Sequence, residues 1–216
     1  MLKLTTLRGV IIAVAALALV AGCTGGGHAK PDPASSLGPF APNAPPTGAS
    51  VTLTQIQGAK GDKIPLGDGL SIVVPAGSKA QKVASKVAGY DVTVYGMPDA
   101  SAAGFPVLHV SWGANATTGA VESSWEHEHS AKMNPKLNPA VSHYSRSSAT
   151  WPGAKVAVVA TSTEEVPTTT GTLVTDALAL WVQTPSGRVA MMLVGAPKGQ
   201  LDGSTALNAL RSLTIG

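Results

Sequence analysis

Three side chains at helical spacing raise the chemical question first. Glu122, Glu126 and His129 stand at i, i+4 and i+7 within the densest polar cluster of the chain, residues 122–129. On a helix they fall within about 60° of one another. Such a carboxylate–carboxylate–imidazole face suits a divalent metal or a hydrolytic water. Glu126-x-x-His129 is one half of the paired di-iron motif, which needs a second such helix, and the sequence offers none. His127 points to the other side, so the two histidines do not chelate together. The alternative is a solvated face whose acids sit in the first half of the helix. His109 and His143 fall in strand-like runs; if those strands pair, the two face each other or Asp91, and otherwise each reads as a partly buried histidine. Trp151, in the turn Trp151-Pro152-Gly153, is either a packing plug under a helix layer or a contact for a partner or glycan. No G-x-S-x-G, H-E-x-x-H, P-loop or post-strand G-x-G-x-x-G is present.

The remaining reactive group is Cys23, the only cysteine. It closes the run Leu19-Val20-Ala21-Gly22-Cys23, behind a leader with Lys3 and Arg8 and the apolar residues 10–20. That apolar run rises only about 16 Å as a helix, half of a hydrocarbon core of about 30 Å. It is too short to span, and Ala21 and Gly22 suit a peptidase cleft. The stretch resembles the lipobox of bacterial lipoproteins. The resemblance implies cleavage between Gly22 and Cys23, acyl chains on Cys23, and a protein anchored on the extracytoplasmic face of the cell membrane; no cofactor is expected for the chain.

Removing the leader changes the charge argument. The whole chain carries 15 Lys+Arg against 12 Asp+Glu, a net +3. Loss of Lys3 and Arg8 leaves 15 less 2 basic residues against the same 12 acids, or +1. Nucleic acid is therefore not an expected partner. With Cys23 acylated, the mature domain has no thiol for a disulfide or a nucleophile, and its stability rests on a hydrophobic core.

Three regions follow: a signal peptide over residues 1–22, a lipidated and disordered tether over 23–50, and a folded domain over 51–216. The tether contains Gly25-Gly26-Gly27 together with Pro31, Pro33, Pro39, Pro42, Pro45 and Pro46, a composition unable to offset its ordering entropy by burial. In the domain, strands are expected over residues 51–54, 70–74, 90–95, 106–112, 141–149, 154–163, 172–183 and 188–195. Helices are expected over 119–134, with Val121, Trp125 and Met133 inward, and from Asp202 or Ser204 to Leu213. Residues 78–88 read either as a helix with Lys79, Lys82 and Lys86 on one face or as a loop. Residues 164–170 read as a polar connection. The strands at 172–183 and 188–195 are apolar on both faces, so both must be covered.

Hairpins imply antiparallel pairing, and a sheet apolar on both sides asks for helices on both. The expected fold class is α+β, a three-layer sandwich with a mostly antiparallel sheet of about six strands and helices on both faces. This order resembles the PsbP-like fold, and especially the LpqN/LpqT-type lipoproteins of mycobacteria and related actinobacteria. The likeness is carried by the lipobox, by Asp68-Gly69-Leu70-Ser71-Ile72-Val73-Val74-Pro75-Ala76-Gly77 and by Trp151-Pro152-Gly153. One position departs: Ser78 stands where that family often has tryptophan. The resemblance implies a non-enzymatic binding or accessory module of the cell envelope, with a protein partner or lipophilic ligand. An envelope hydrolase or metal-dependent enzyme using Glu122, Glu126 and His129 is one alternative, and a purely structural accessory is the other.

Overall fold

The structure, a computed structural model, describes residues 44–85, 90–113, 118–133, 141–168 and 171–216. Eight strands form one sheet in the order β1-β7-β8-β9-β10-β6-β5-β4. They are β1 (Gly48–Thr52), β4 (Lys79–Val83), β5 (Asp91–Gly96), β6 (Val107–Gly113), β7 (Val141–Thr150), β8 (Val156–Thr168), β9 (Gly171–Gln183) and β10 (Val189–Pro197). Every pairing is antiparallel except that of β1 with β7, which is parallel. A second sheet holds β2 (Asp62–Gly67), β3 (Leu70–Val74) and β11 (Thr214–Ile215), with β3 in the middle. The helices are α1 (Ala120–Met133) and α2 (Thr205–Arg211).

β9 and β10 are central because both their faces are apolar. Leu178, Leu180 and Val182 enter the larger core, while Ala177, Ala179 and Trp181 enter a smaller one on the opposite side. Thr184-Pro185-Ser186-Gly187 joins the two strands. Its turn is closed by Gly187 N–H to Thr184 O at 2.9 Å and allowed by the positive φ of Gly187, 93°.

The expected three-layer sandwich with helices on both faces does not form; the chain is mostly β. The sheet has eight strands rather than about six, and the larger core is closed by a second sheet together with α2. The reason lies in two short segments. Residues of β2 and β11 pair on either side of β3, so Leu70, Ile72 and Val74 meet the main sheet as a β layer. The seven-residue α2 lies beside that layer rather than replacing it.

Other expectations shift locally. Residues 164–168 continue β8 instead of making a connection, because the ladder with β9 runs on to Thr168 opposite Gly171. β4 forms within the ambiguous 78–88 segment as an edge strand, exposing Lys79 and Lys82; charged residues at an edge oppose further pairing. Lys86 lies outside the described residues. β1 starts at Gly48, and Ala44 already bonds to the domain, so structure reaches into the segment read as tether.

Candidate functional site

The polar side chains that the fold gathers lie between α1 and the strands β7, β8 and β9. Gln183, at the end of β9, accepts from the Ala120 N–H at 3.5 Å and satisfies one first-turn donor of α1. Ala120 and Ser124 are fully buried against the sheet, whereas Glu126 is exposed. The inward face of α1 therefore centres on Ser124 and not on Trp125. Trp125 is half-buried and stacks on His129, with ring centroids 5.0 Å apart.

Arg146 of β7 is the hub of the cluster and is only 4 % exposed. Its Nε donates to Glu128 Oε2 at 2.6 Å. Nη1 donates to Val121 O at 3.2 Å and to Ser124 Oγ at 3.1 Å, and Nη2 to Ala44 O at 2.8 Å. One guanidinium thus ties α1, β7 and the incoming chain together, which fits its planar fork of donors. Glu128 also accepts from Lys132 Nζ at 2.6 Å. Burial raises the Glu128 pKa, but Lys132 and Arg146 outweigh it and hold the carboxyl below its ordinary value.

One residue along, His127 Nδ1 meets the Tyr144 hydroxyl at 2.9 Å, and its ring lies edge-on to Trp181 at 5.2 Å. Burial pulls His127 down to about 4, so it is neutral at physiological pH. Burial likewise raises Tyr144, with a further push from Glu128. Glu164 on β8 is 8 % exposed; burial raises its pKa, opposed by a hydrogen bond from Ser162 Oγ at 3.0 Å.

A second constellation joins two turns from different sheets. Asp68, in the β2–β3 turn with φ 49°, accepts from Thr184 Oγ1 at 2.8 Å and from Ser186 Oγ. The Ser186 and Thr184 bonds lower its pKa, and Arg188 adds to the effect. The next residue, Gly69, also has positive φ, 76°, giving the tight turn that aims Asp68 at the β9–β10 loop.

The residues singled out in the sequence are dispersed by this fold. On α1, Glu126 is largely exposed, its pKa raised by partial desolvation against the helix and then by Glu122, while His129 stacks on Trp125. Among the described residues, no three His, Cys, Asp or Glu side chains are grouped to hold a metal. His109 and His143 do not pair, because β10, β9 and β8 separate β6 from β7. His109 instead stands opposite Leu193 and Val94, where burial lowers it to about 4. His143 is exposed at a bulge with φ 52°. Trp151 is 3 % exposed and sits in the larger core, the packing role of the two left open; its Nε1–H has no hydrogen-bond acceptor among the described residues. Gly22 and Cys23 lie outside the described residues, as do His28 and Asn115.

Sequence reasoning missed Arg146, Tyr144 and Asp68. A lone arginine in the serine-rich strand 141–150 was the available signal, since a charge at an inward strand position asks for a partner. No family model matches the chain, and no curated protein matches it in sequence.

Proposed function

We propose that the chain is a membrane-anchored extracytoplasmic lipoprotein whose domain is a non-enzymatic binding or accessory module of the cell envelope, serving a protein partner or a lipophilic ligand. One observation carries the reading: the only cysteine of the chain closes Leu19-Val20-Ala21-Gly22-Cys23 behind a short basic and apolar leader. Two or three acyl chains on Cys23 meet or exceed the two-signal threshold for stable anchoring, at about 0.8 kcal/mol per buried CH₂. Among the described residues no helix is long and apolar enough to cross a membrane.

The placement of the polar groups supports the accessory role. Arg146 is occupied by Glu128, Ser124, Val121 and Ala44, His127 by Tyr144, and Asp68 by Thr184 and Ser186. These groups spend their bonding capacity on joining elements of the fold. A relationship to the LpqN/LpqT-type lipoproteins belongs to the same proposal. It rests on the lipobox, residues 68–77 and the Trp151-Pro152-Gly153 turn.

Membrane fractionation of Cys23→Ala tests the anchor. The variant is expected to fold and to leave the membrane fraction; retention there would refute the assignment. Affinity capture from envelope extract with the wild-type chain, followed by lipid and protein identification, tests the module. Enrichment of a defined envelope protein or lipid is expected, and enrichment of nothing would count against it.

A further inference from the structure

The two helices are attached to the sheet in different ways. α2 docks through Ala206, Leu207, Ala209 and Leu210, all buried in the larger core. Among the described side chains, α1 contributes only Ala120 and Val121, both in its first turn, to the apolar cluster beneath it. Past that turn its contacts with the strands run through Ser124, His127, Glu128 and Lys132. The sheet face below is apolar, with Val158, Ala160, Ala179 and Trp181. A polar helix side therefore covers an apolar sheet face, and it is held at its flank by β7. His127 meets Tyr144, Glu128 meets Arg146, and Lys132 lies 5.7 Å from the Tyr144 ring centroid.

We propose that α1 is a latched flap: its first turn is a fixed hinge in the apolar cluster, and the His127–Tyr144 and Glu128–Arg146 contacts hold the rest of the helix on the sheet. Release of those contacts lifts the helix and bares the apolar face while the central strands stay folded.

The energetics favour opening in parts. Each hydrogen bond of the latch trades against water and nets about 0.5–1.5 kcal/mol, whereas apolar burial secures β9, β10 and α2. Elements with few buried apolar contacts open below the global unfolding free energy. The charged and titratable groups facing His127 are Glu128 and Lys132 on α1, Tyr144 and Arg146 on β7, and Glu164 on β8; β9 contributes the uncharged Trp181. Acidification weakens both parts of the latch. It charges an imidazole enclosed by Tyr144 and Trp181 and discharges the Glu128 carboxylate that Arg146 and Lys132 hold. The flap therefore loosens toward acid pH, and it does so whether or not Cys23 anchors the chain.

Amide hydrogen exchange of the full chain, read by mass spectrometry and corrected for intrinsic rates, tests this. In the wild type, amides of residues 124–132 are expected to exchange at least roughly tenfold faster than those of β9 and β10. In Glu128→Gln they are expected to exchange at least roughly thirtyfold faster again; β9 and β10, whose exchange needs global unfolding that also breaks the latch, gain no more than α1 does and stay at least roughly tenfold slower than α1. Taking the wild type from about pH 7 to about pH 5 is expected to accelerate α1 in the same direction through His127, while Glu128, held below its ordinary value, stays ionised there. Equal exchange of α1 and the central strands, in the wild type or in the variant, or α1 exchange that Glu128→Gln leaves unchanged, overturns the flap.

Discussion

Arg146 on β7 and Glu128 on α1 meet at 2.6 Å, with side-chain exposures of 3 % and 18 %. This pair joins elements distant in sequence and also fixes the chain's entry at Ala44 through the same guanidinium. Removing one partner leaves the other enclosed. Glu128→Gln is expected to cost about 2–3 kcal/mol, below the 3–5 kcal/mol of a fully buried pair because Glu128 retains some solvent contact. Arg146→Met is expected to be the more damaging, since it also strands Ser124 and two carbonyls. Chemical denaturation at neutral pH checks the order, and an equal or reversed ranking would remove Arg146 as hub.

His127 gives the fold an acid sensitivity of defined sign. Its pKa falls from 6.5 to about 4 on burial, so the unfolded chain binds more protons between those values. The stability contributed by the neutral ring is present above about 6.5 and is lost as pH falls toward 4, a change on the order of 3 kcal/mol. His109 shifts the same way, so the wild type should lose more than one histidine's worth. His127→Gln is expected to flatten the pH dependence of the unfolding free energy over this window. An unchanged slope would count against a buried neutral His127.

Glu164 acts with the opposite sign. Its pKa is raised in the fold, so its contribution is present below about 4.5 and is lost as pH rises through the folded value. Glu164→Gln keeps the shape and removes the buried charge. It is expected to raise the melting temperature at pH 7 and to do little near pH 4. A loss of stability at pH 7 would show that the carboxylate has a partner that matters more than its burial.

The turn clasp of Asp68 is tested by backbone as much as by bonding. Asparagine tolerates positive φ and retains an acceptor, so Asp68→Asn should melt closer to wild type than Asp68→Ala. The preceding Gly67 has φ 128°, and a Cβ there would lie 2.8 Å from Trp112 Nε1. Gly67→Ala is expected to cost about 2 kcal/mol or more, by strain and by displacing the indole. Thermal melts of the three variants settle the order.

What could be read in the sequence follows from how local each signal was. β3 was legible because Leu70-Ser71-Ile72-Val73-Val74 is strand-like and ends at Pro75. β9 and β10 were legible because both faces are apolar. β2 was not: Asp62-Lys63-Ile64-Pro65-Leu66-Gly67 has little alternation, and its strand state comes from pairing with β3. Missing it left the second sheet out of the expected fold, whose helices on both faces followed from the two apolar faces of β9 and β10. α1 was placed correctly and Val121 does face the apolar cluster, but Trp125 is only half-buried and the fully buried residue of the next turn is Ser124, which an apolar count passes over; the Met133 side chain lies outside those described. The Arg146 network depends on tertiary approach, which no spacing encodes.

The proposed role depends above all on the anchor at Cys23, and the intact mass of the chain purified from membranes decides whether it is there. The expected mass is that of residues 23–216 carrying acyl chains on the N-terminal cysteine. A mass that includes residues 1–22, or a mature chain whose Cys23 thiol is free, would contradict the account.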